Sequence, residues 1–198
     1  IREITAKLKN IYSATFASEY KHIQSSKEYL WLKDRIENRT EMNLTLKGKR
    51  TILERLISSE IFEKFLDKKY RGSKRFGLDG SESTIPALEQ ILKRSSDHGI
   101  QDFSFACAHR GRLNILANII KKPQVQIFSE FIHGGENALS NQGSGDVKYH
   151  LGASSNRSFD GNIIHVSMAA NPSHLEAVNP IVAGKIRAKQ TIINDHSN

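Results

Sequence analysis

Twice in this sequence a strand, a sharp polar segment and a helix follow one another, and that order leaves few folds open. Phe103, Phe105 and Cys107 alternate with the small Ser104, Ala106 and Ala108, which is the period of a buried strand. The run passes through His109-Arg110-Gly111-Arg112 into a helix marked on one side by Leu113, Leu116 and Ile120, and Lys121-Lys122-Pro123 stops it. Residues 162–168 alternate in the same way and pass through Asn171-Pro172-Ser173 into a final helix. Strands followed by helices at this spacing predict an open α/β sheet, with ligands bound beyond the carboxyl ends of its strands. The strands are too few to complete a doubly wound sheet, so residues 74–198 read as the N-terminal part of an α/β domain, with more expected downstream.

Residues 1–73 read differently, as a helical lead-in. Ile4, Leu8, Ile11 and Thr15 share one helical face, and Ser25 with Glu28 forms a capping box that opens a helix through Leu32 to Ile36. Thr51 and Glu54 repeat the capping signal, and Ile61, Phe65 and Leu66 make a further stripe before Tyr70 and Gly72. These stripes predict packing rather than chemistry. Beyond them, Pro86 suits the first turn of a helix whose N–H groups have no partner, Leu88, Ile91 and Leu92 predict its buried face, and Gly99 its end. A short helix is expected over residues 125–132. Residues 133–162 are rich in Gly, Ser and Asn and read as one long loop, interrupted by Val147-Lys148-Tyr149-His150; loops of that length tend to be functional or mobile.

Composition excludes several classes. The formal charge of +8 would suit a nucleic-acid binder if it were clustered, but basic residues alternate with acids throughout and no zinc finger, ribonucleoprotein signature or basic zipper is present. No apolar run approaches the roughly 20 residues of a membrane span, and the first residues have no signal-like core. The single cysteine, Cys107, rules out an internal disulfide and predicts a buried, inert thiol in a reducing compartment. The sequons at Asn38, Asn43 and Asn156 are then chance matches. The histidines lack metal-ligand spacing and there is no cysteine pair, so zinc is not expected and no metal ligand is assigned.

Two segments stand where an open sheet binds ligands. In His109-Arg110-Gly111-Arg112-Leu113-Asn114 the glycine permits close backbone approach, Arg110 supplies a forked permanent cation suited to phosphate, and His109 can exchange a proton near neutral pH. In Asn171-Pro172-Ser173-His174-Leu175-Glu176, Ser173 and Glu176 form a capping box at a helix start. The free N–H groups there can receive an anion, although Glu176 opposes one on the axis. Between them, Gly143 and Gly145 match a dinucleotide loop weakly, since no strand precedes them, and His150 stands beside an aromatic in the long loop.

Taken in order, these blocks resemble the E1 subunits of 2-oxoglutarate dehydrogenase complexes. The resemblance runs through Lys74-Arg75-Phe76, Ile85-Pro86-Ala87-Leu88, Ala108-His109-Arg110-Gly111-Arg112-Leu113-Asn114 and Lys121-Lys122-Pro123. It continues through Gly143-Ser144-Gly145-Asp146-Val147-Lys148-Tyr149-His150-Leu151-Gly152 and Asn171-Pro172-Ser173-His174-Leu175-Glu176, with Glu19-Tyr20-Lys21-His22-Ile23 and Trp31-Leu32-Lys33-Asp34-Arg35-Ile36-Glu37 as the lead-in. It implies part of a thiamine-diphosphate-binding α/β sheet domain in a homodimeric enzyme that decarboxylates 2-oxoglutarate and succinylates the lipoyl group of E2 dihydrolipoyl succinyltransferase, alongside E3 dihydrolipoyl dehydrogenase. By the same resemblance Arg110, Ser173 and Leu175 meet the cofactor. His109, His150 and Ser154 line the 2-oxo acid site, with the two histidines as its catalytic groups.

The departures from the family pattern are equally specific. The family's magnesium–diphosphate motif lies downstream of a segment like residues 181–198, and Gly145-Asp146 is not that motif, so the chain reads as an internal piece carrying one wall of a site, inactive alone. Residues 133–142 are a few positions longer than the common pattern. An E1 for 2-oxoadipate or a stand-alone 2-oxoglutarate decarboxylase shares these blocks, and a basic binding module without catalysis is the alternative from another class. The expected location is cytoplasmic in a bacterium or the mitochondrial matrix in a eukaryote.

Overall fold

The computed structural model describes residues 1–15, 17–38, 43–133, 147–170 and 174–195. It divides into two compact units, Ile1–Thr45 and Leu46–Asn198. The first holds helices α1 (Arg2–Ser13) and α2 (Ser26–Glu37). As the capping box predicts, the Ser25 hydroxyl accepts from the Glu28 amide at the start of α2, satisfying one of the donors a helix start leaves open. Of the α1 stripe only Ile11 is buried, Ile4 and Leu8 are exposed, and Thr15 lies beyond the helix end.

The second unit is mixed α/β. It begins with α3 (Leu46–Lys69) and α4 (Thr84–Asp97), then β1 (Asp102–Phe105), α5 (Arg112–Asn118), α6 (Gln124–His133), a 3-10 turn at Val147–Tyr149, β2 (Ala153–Phe159), β3 (Asn162–Met168) and α7 (Leu175–Ile192). Two expectations are corrected at α3 and α4. Thr51 and Glu54 do not open a helix; α3 starts at Leu46, and the Thr51 hydroxyl donates back to the Lys47 carbonyl from inside it. In α4 the buried positions are Ile85, Leu92 and Ser96, whereas Ile91 is 47% exposed, because the face turned to the core runs 85, 89, 92, 96.

The sheet has the order β1-β3-β2, with β1 parallel and β2 antiparallel to β3. Strand β2 corrects the long-loop reading. Its polar sequence hid it, but Asp160 and Gly161 both take positive φ, the geometry of a tight two-residue hairpin turn, and the pairing closes with Phe159 opposite Asn162. One sheet face carries Phe105, Phe159, Ile164, Val166 and Met168 into a core shared with Leu92, Leu116, Ile119 and Ile120. The other face is polar: Ser104 and Ser167 join hydroxyls at 2.8 Å, Asn156 meets His165 at 2.8 Å, and Asp102 pairs with Lys189 of α7. Across the apolar side, Glu89 of α4 accepts from Arg55 of α3 at 3.1 Å and from Arg157 of β2 at 2.7 Å, tying three elements through one carboxylate. No helix among the described residues is long and apolar enough to cross a membrane.

Candidate functional site

The carboxyl ends of β1 and β3 point the same way because the two strands are parallel, so the loops that leave them gather at one edge of the sheet. After β1 the chain turns at Gly111, whose φ of 69° is left-handed and where a Cβ would collide with the Leu78 side chain. The Gly111 amide donates to the Phe76 carbonyl at 2.8 Å, and the Phe76 amide in turn donates to the Tyr149 hydroxyl at 2.9 Å. Phe76 is thus a backbone link between the His109 loop and the turn that carries His150.

The side chains follow the same junction. The His109 ring lies 5.2 Å from Phe76, 5.2 Å from Tyr149 and 5.0 Å from His150, centroid to centroid, and Phe76 meets Tyr149 edge-on at 5.0 Å. Tyr149 is 1% exposed, while both histidines are half-buried, with the His109 Nε2 sealed from solvent. Lys148 holds its ammonium over the Phe131 ring at 4.7 Å, a cation–π contact beneath the turn. Two imidazoles from loops far apart in sequence therefore meet, His150 standing against the His109 ring that Phe76 and Tyr149 cage.

Beneath the cage is a residue that the sequence reading passed over as part of a motif. Arg112 is 0% exposed. Its Nη1 donates to the Cys107 carbonyl at 2.6 Å, and its Nη2 donates to the carbonyls of Ala169 at 2.6 Å and Leu151 at 3.0 Å. No carboxylate pairs with it among the described residues. Burial pulls the guanidinium below its ordinary value and pushes the adjacent Cys107 thiol above its own, with each group partly offsetting the shift of the other. Cys107, expected to be buried, is partly so. Gly152 supports the same crossing, since a Cβ there would stand 2.7 Å from the Met168 carbonyl oxygen and 2.8 Å from the Ala170 amide.

The remaining candidates are spread around this edge. Arg110 is exposed on the loop after β1. Leu175 is exposed in the first turn of α7, which packs Val178 and Val182 against Ala106 and Ala169 and so begins at the same end of the sheet. His174 caps α7 without a side-chain hydrogen bond. Ser173, like residues 143–146, lies outside the described residues. Ser154 is exposed on β2 opposite Ser167, and lines an open cleft of about 640 Å³ with Lys121, Lys122, Leu151 and Gly152. A second cavity of about 350 Å³ lies between α3 and the residues before α4, lined by Glu60, Glu63, Asp67, Arg75 and Phe76. Among the described residues no group of three or more His, Cys, Asp or Glu side chains could hold a metal ion.

No family model matches the chain. Comparison with curated proteins is more informative. The chain is 53% identical over 187 residues to the 2-oxoglutarate dehydrogenase E1 component of Brucella anthropi, and 52% identical over 187 residues to those of Brucella canis and Brucella suis. The aligned residues make up 94% of this chain and 19% of each relative's length. Identity at this level over 94% of its residues places the chain in the family of 2-oxoglutarate dehydrogenase E1 components, of whose length it spans 19%.

Proposed function

We propose that this chain forms one wall of the active site of an E1 subunit that decarboxylates 2-oxoglutarate on thiamine diphosphate and passes the succinyl group to the lipoyl arm of E2. The observation that carries the reading is the His109–His150 contact, with ring centroids 5.0 Å apart in a cage built by Phe76 and Tyr149. A 2-oxo diacid brings two carboxylates and a carbonyl that gains negative charge on attack. Such a substrate needs converging donors held in place before reaction, and imidazoles can donate near neutral pH. Ser154 adds a neutral hydroxyl as a further donor to substrate.

When bound, thiamine diphosphate supplies the electron sink for the carbanion left by decarboxylation. The donors of this chain suit the diphosphate end. Arg110 presents an exposed guanidinium fork, and the first N–H groups of α7 are free in the helix ladder, with Ser173 and Leu175 as cofactor contacts. Glu176 in that first turn keeps an anion off the helix axis. We assign the magnesium ligands to a part of the E1 polypeptide beyond this chain, and the homodimer, E2 and E3 as its partners.

The test is steady-state kinetics of the complete E1 polypeptide with 2-oxoglutarate and with a 2-oxo acid of uncharged tail. His109→Ala and His150→Ala are expected to differ. The histidine at the distal carboxylate raises KM for 2-oxoglutarate and relaxes discrimination, because uniform binding is lost. The one at the carbonyl lowers turnover by about tenfold to a thousandfold. Wild-type constants with both acids in either variant would remove that histidine from the site.

A further inference from the structure

Arg112 is a permanent charge taken fully out of water with no counter-ion among the described residues, and structures tolerate that only where the surroundings over-determine the group. Here the surroundings are three backbone carbonyls from three separate places: Cys107 after β1, Leu151 before β2 and Ala169 after β3. Each carbonyl is close in sequence to something the site needs. Cys107 is two residues before His109, Leu151 directly follows His150, and Ala169 leads toward the start of α7. The planar fork fixes the separation of its acceptors in a way a flexible ammonium does not. The close approach of Gly152 to the end of β3 brings the Leu151 and Ala169 carbonyls within reach of one nitrogen.

We propose that Arg112 is a positioning residue: by donating to Cys107, Leu151 and Ala169 at once, its guanidinium locks the His109 loop to the His150 turn so that the two imidazoles hold one spacing. The inference deepens the functional reading above and rests on it, but it makes a claim about the chain that does not depend on turnover. Phe76 and Tyr149 pack against the His109 ring, and Arg112 ties the backbone on either side of it. A misplacement of about 1 Å between such groups can cost on the order of a hundredfold in rate.

Two measurements test it. In the chain itself, Arg112→Lys and, should that variant fail to fold, Arg112→Gln are followed by amide hydrogen exchange. The expected result is loss of protection at residues 107–112 and 150–152 together, with the amides of α4 unchanged. Loss confined to one loop, or spread evenly over the unit, overturns the lock. In the wild-type chain the Nη hydrogens of Arg112 should exchange slowly, and exchange as fast as that of a solvent-facing arginine overturns it without any variant. In the complete E1 polypeptide, Arg112→Lys should lower turnover about tenfold to a hundredfold, and combining it with His109→Ala should lose little more than His109→Ala alone. Independent, fully additive losses mean that Arg112 does not act through the histidines and overturn the proposal. Wild-type turnover in both histidine variants instead overturns the functional reading beneath it, and the exchange pattern then tells the two failures apart.

Discussion

The two compact units differ in what holds them. In the unit Leu46–Asn198, Ile85, Leu92, Leu116, Ile119, Ile120, Ile164 and Val166 are sealed from solvent, and buried polar groups tie backbone to backbone through Arg112 and Asn114. In the unit Ile1–Thr45 the buried apolar residues among those described are Ile11 and Tyr20, Leu30 and Trp31 are exposed, and its helices are tied by hydrogen bonds and by the rings of Tyr12, Tyr20 and Tyr29. Tyr12 donates to Glu37 at 2.7 Å and shares a 2.8 Å contact with the Tyr20 hydroxyl. The lesson is that the candidate site stands on the unit able to hold loop geometry to fractions of an ångström. The helical unit leaves apolar side chains such as Leu30 and Trp31 exposed among its described residues.

The sharpest way to break that contrast is through the core. Leu116 is 0% exposed at the centre of α5, between the sheet and α3. Leu116→Ala should destabilise the α/β unit by about 2–5 kcal/mol, the cost of lost transfer energy plus the cavity left behind. Denaturant unfolding followed by far-ultraviolet circular dichroism reads it as a midpoint shift. A loss under about 1 kcal/mol would mean that this core is looser than its packing implies.

Next in size is the turn under the cage. Gly111→Ala forces a side chain into a left-handed backbone and into Leu78, so we expect a loss of about 1–3 kcal/mol. The Gly111 amide would also be drawn from the Phe76 carbonyl, which hydrogen exchange at Gly111 detects. Unchanged protection would separate the turn from the site. A smaller effect is expected from Tyr149→Phe, which keeps the ring against His109 but removes the acceptor for the Phe76 amide. A net hydrogen bond contributes about 0.5–1.5 kcal/mol, and the midpoint should move by that much and no more.

How far the sequence reached follows from the same physics. Strands β1 and β3 were legible because one side of each faces a core, which imposes a period of two on Phe103, Phe105, Ile164, Val166 and Met168. Strand β2 was not, because it is an edge strand whose exposed positions are Ser154, Asn156 and Ser158 and whose inward ones include Ser155 and Arg157. The Asp160-Gly161 pair is the available signal, and it lies inside a stretch whose Gly, Ser and Asn content reads as loop. Thr51 misled because a capping box is local, and the residues before it continue the helix. In the site, the segments that carry His109 and His150 could be named from motif order, but their contact is a tertiary fact. Arg112 and Asn114 escaped for a further reason. A charged or amide side chain in a helix reads as surface until the carbonyls or carboxylates that satisfy it, here those of Cys107, Ala169, Ser59 and Glu63, are brought together by the fold.

The smallest expected effect belongs to the helical unit and carries a pH signature. The Tyr12 hydroxyl is hydrogen-bonded to Tyr20 and to the Glu37 carboxylate, and both bonds hold its proton, raising it above the ordinary tyrosine value of 10.0. A group whose folded value is raised contributes its full stabilisation below the unfolded value and loses it as the pH climbs, so the contribution is intact at neutral pH and fades above about 10. Tyr12→Phe removes a partly exposed hydrogen bond and should cost about 0.5–1 kcal/mol at neutral pH. Trp31, the single tryptophan, lies on α2 in this unit and reports its unfolding by fluorescence. At pH 7 the variant should unfold slightly earlier than the wild type, and the gap should narrow as the pH climbs above 10, because the unfolded wild-type chain then releases the Tyr12 proton that the folded chain still holds. A constant gap at every pH would mean that the Tyr12 proton is not what joins α1 to α2, and the contrast between a unit tied by hydrogen bonds and one sealed by a core would have to be redrawn.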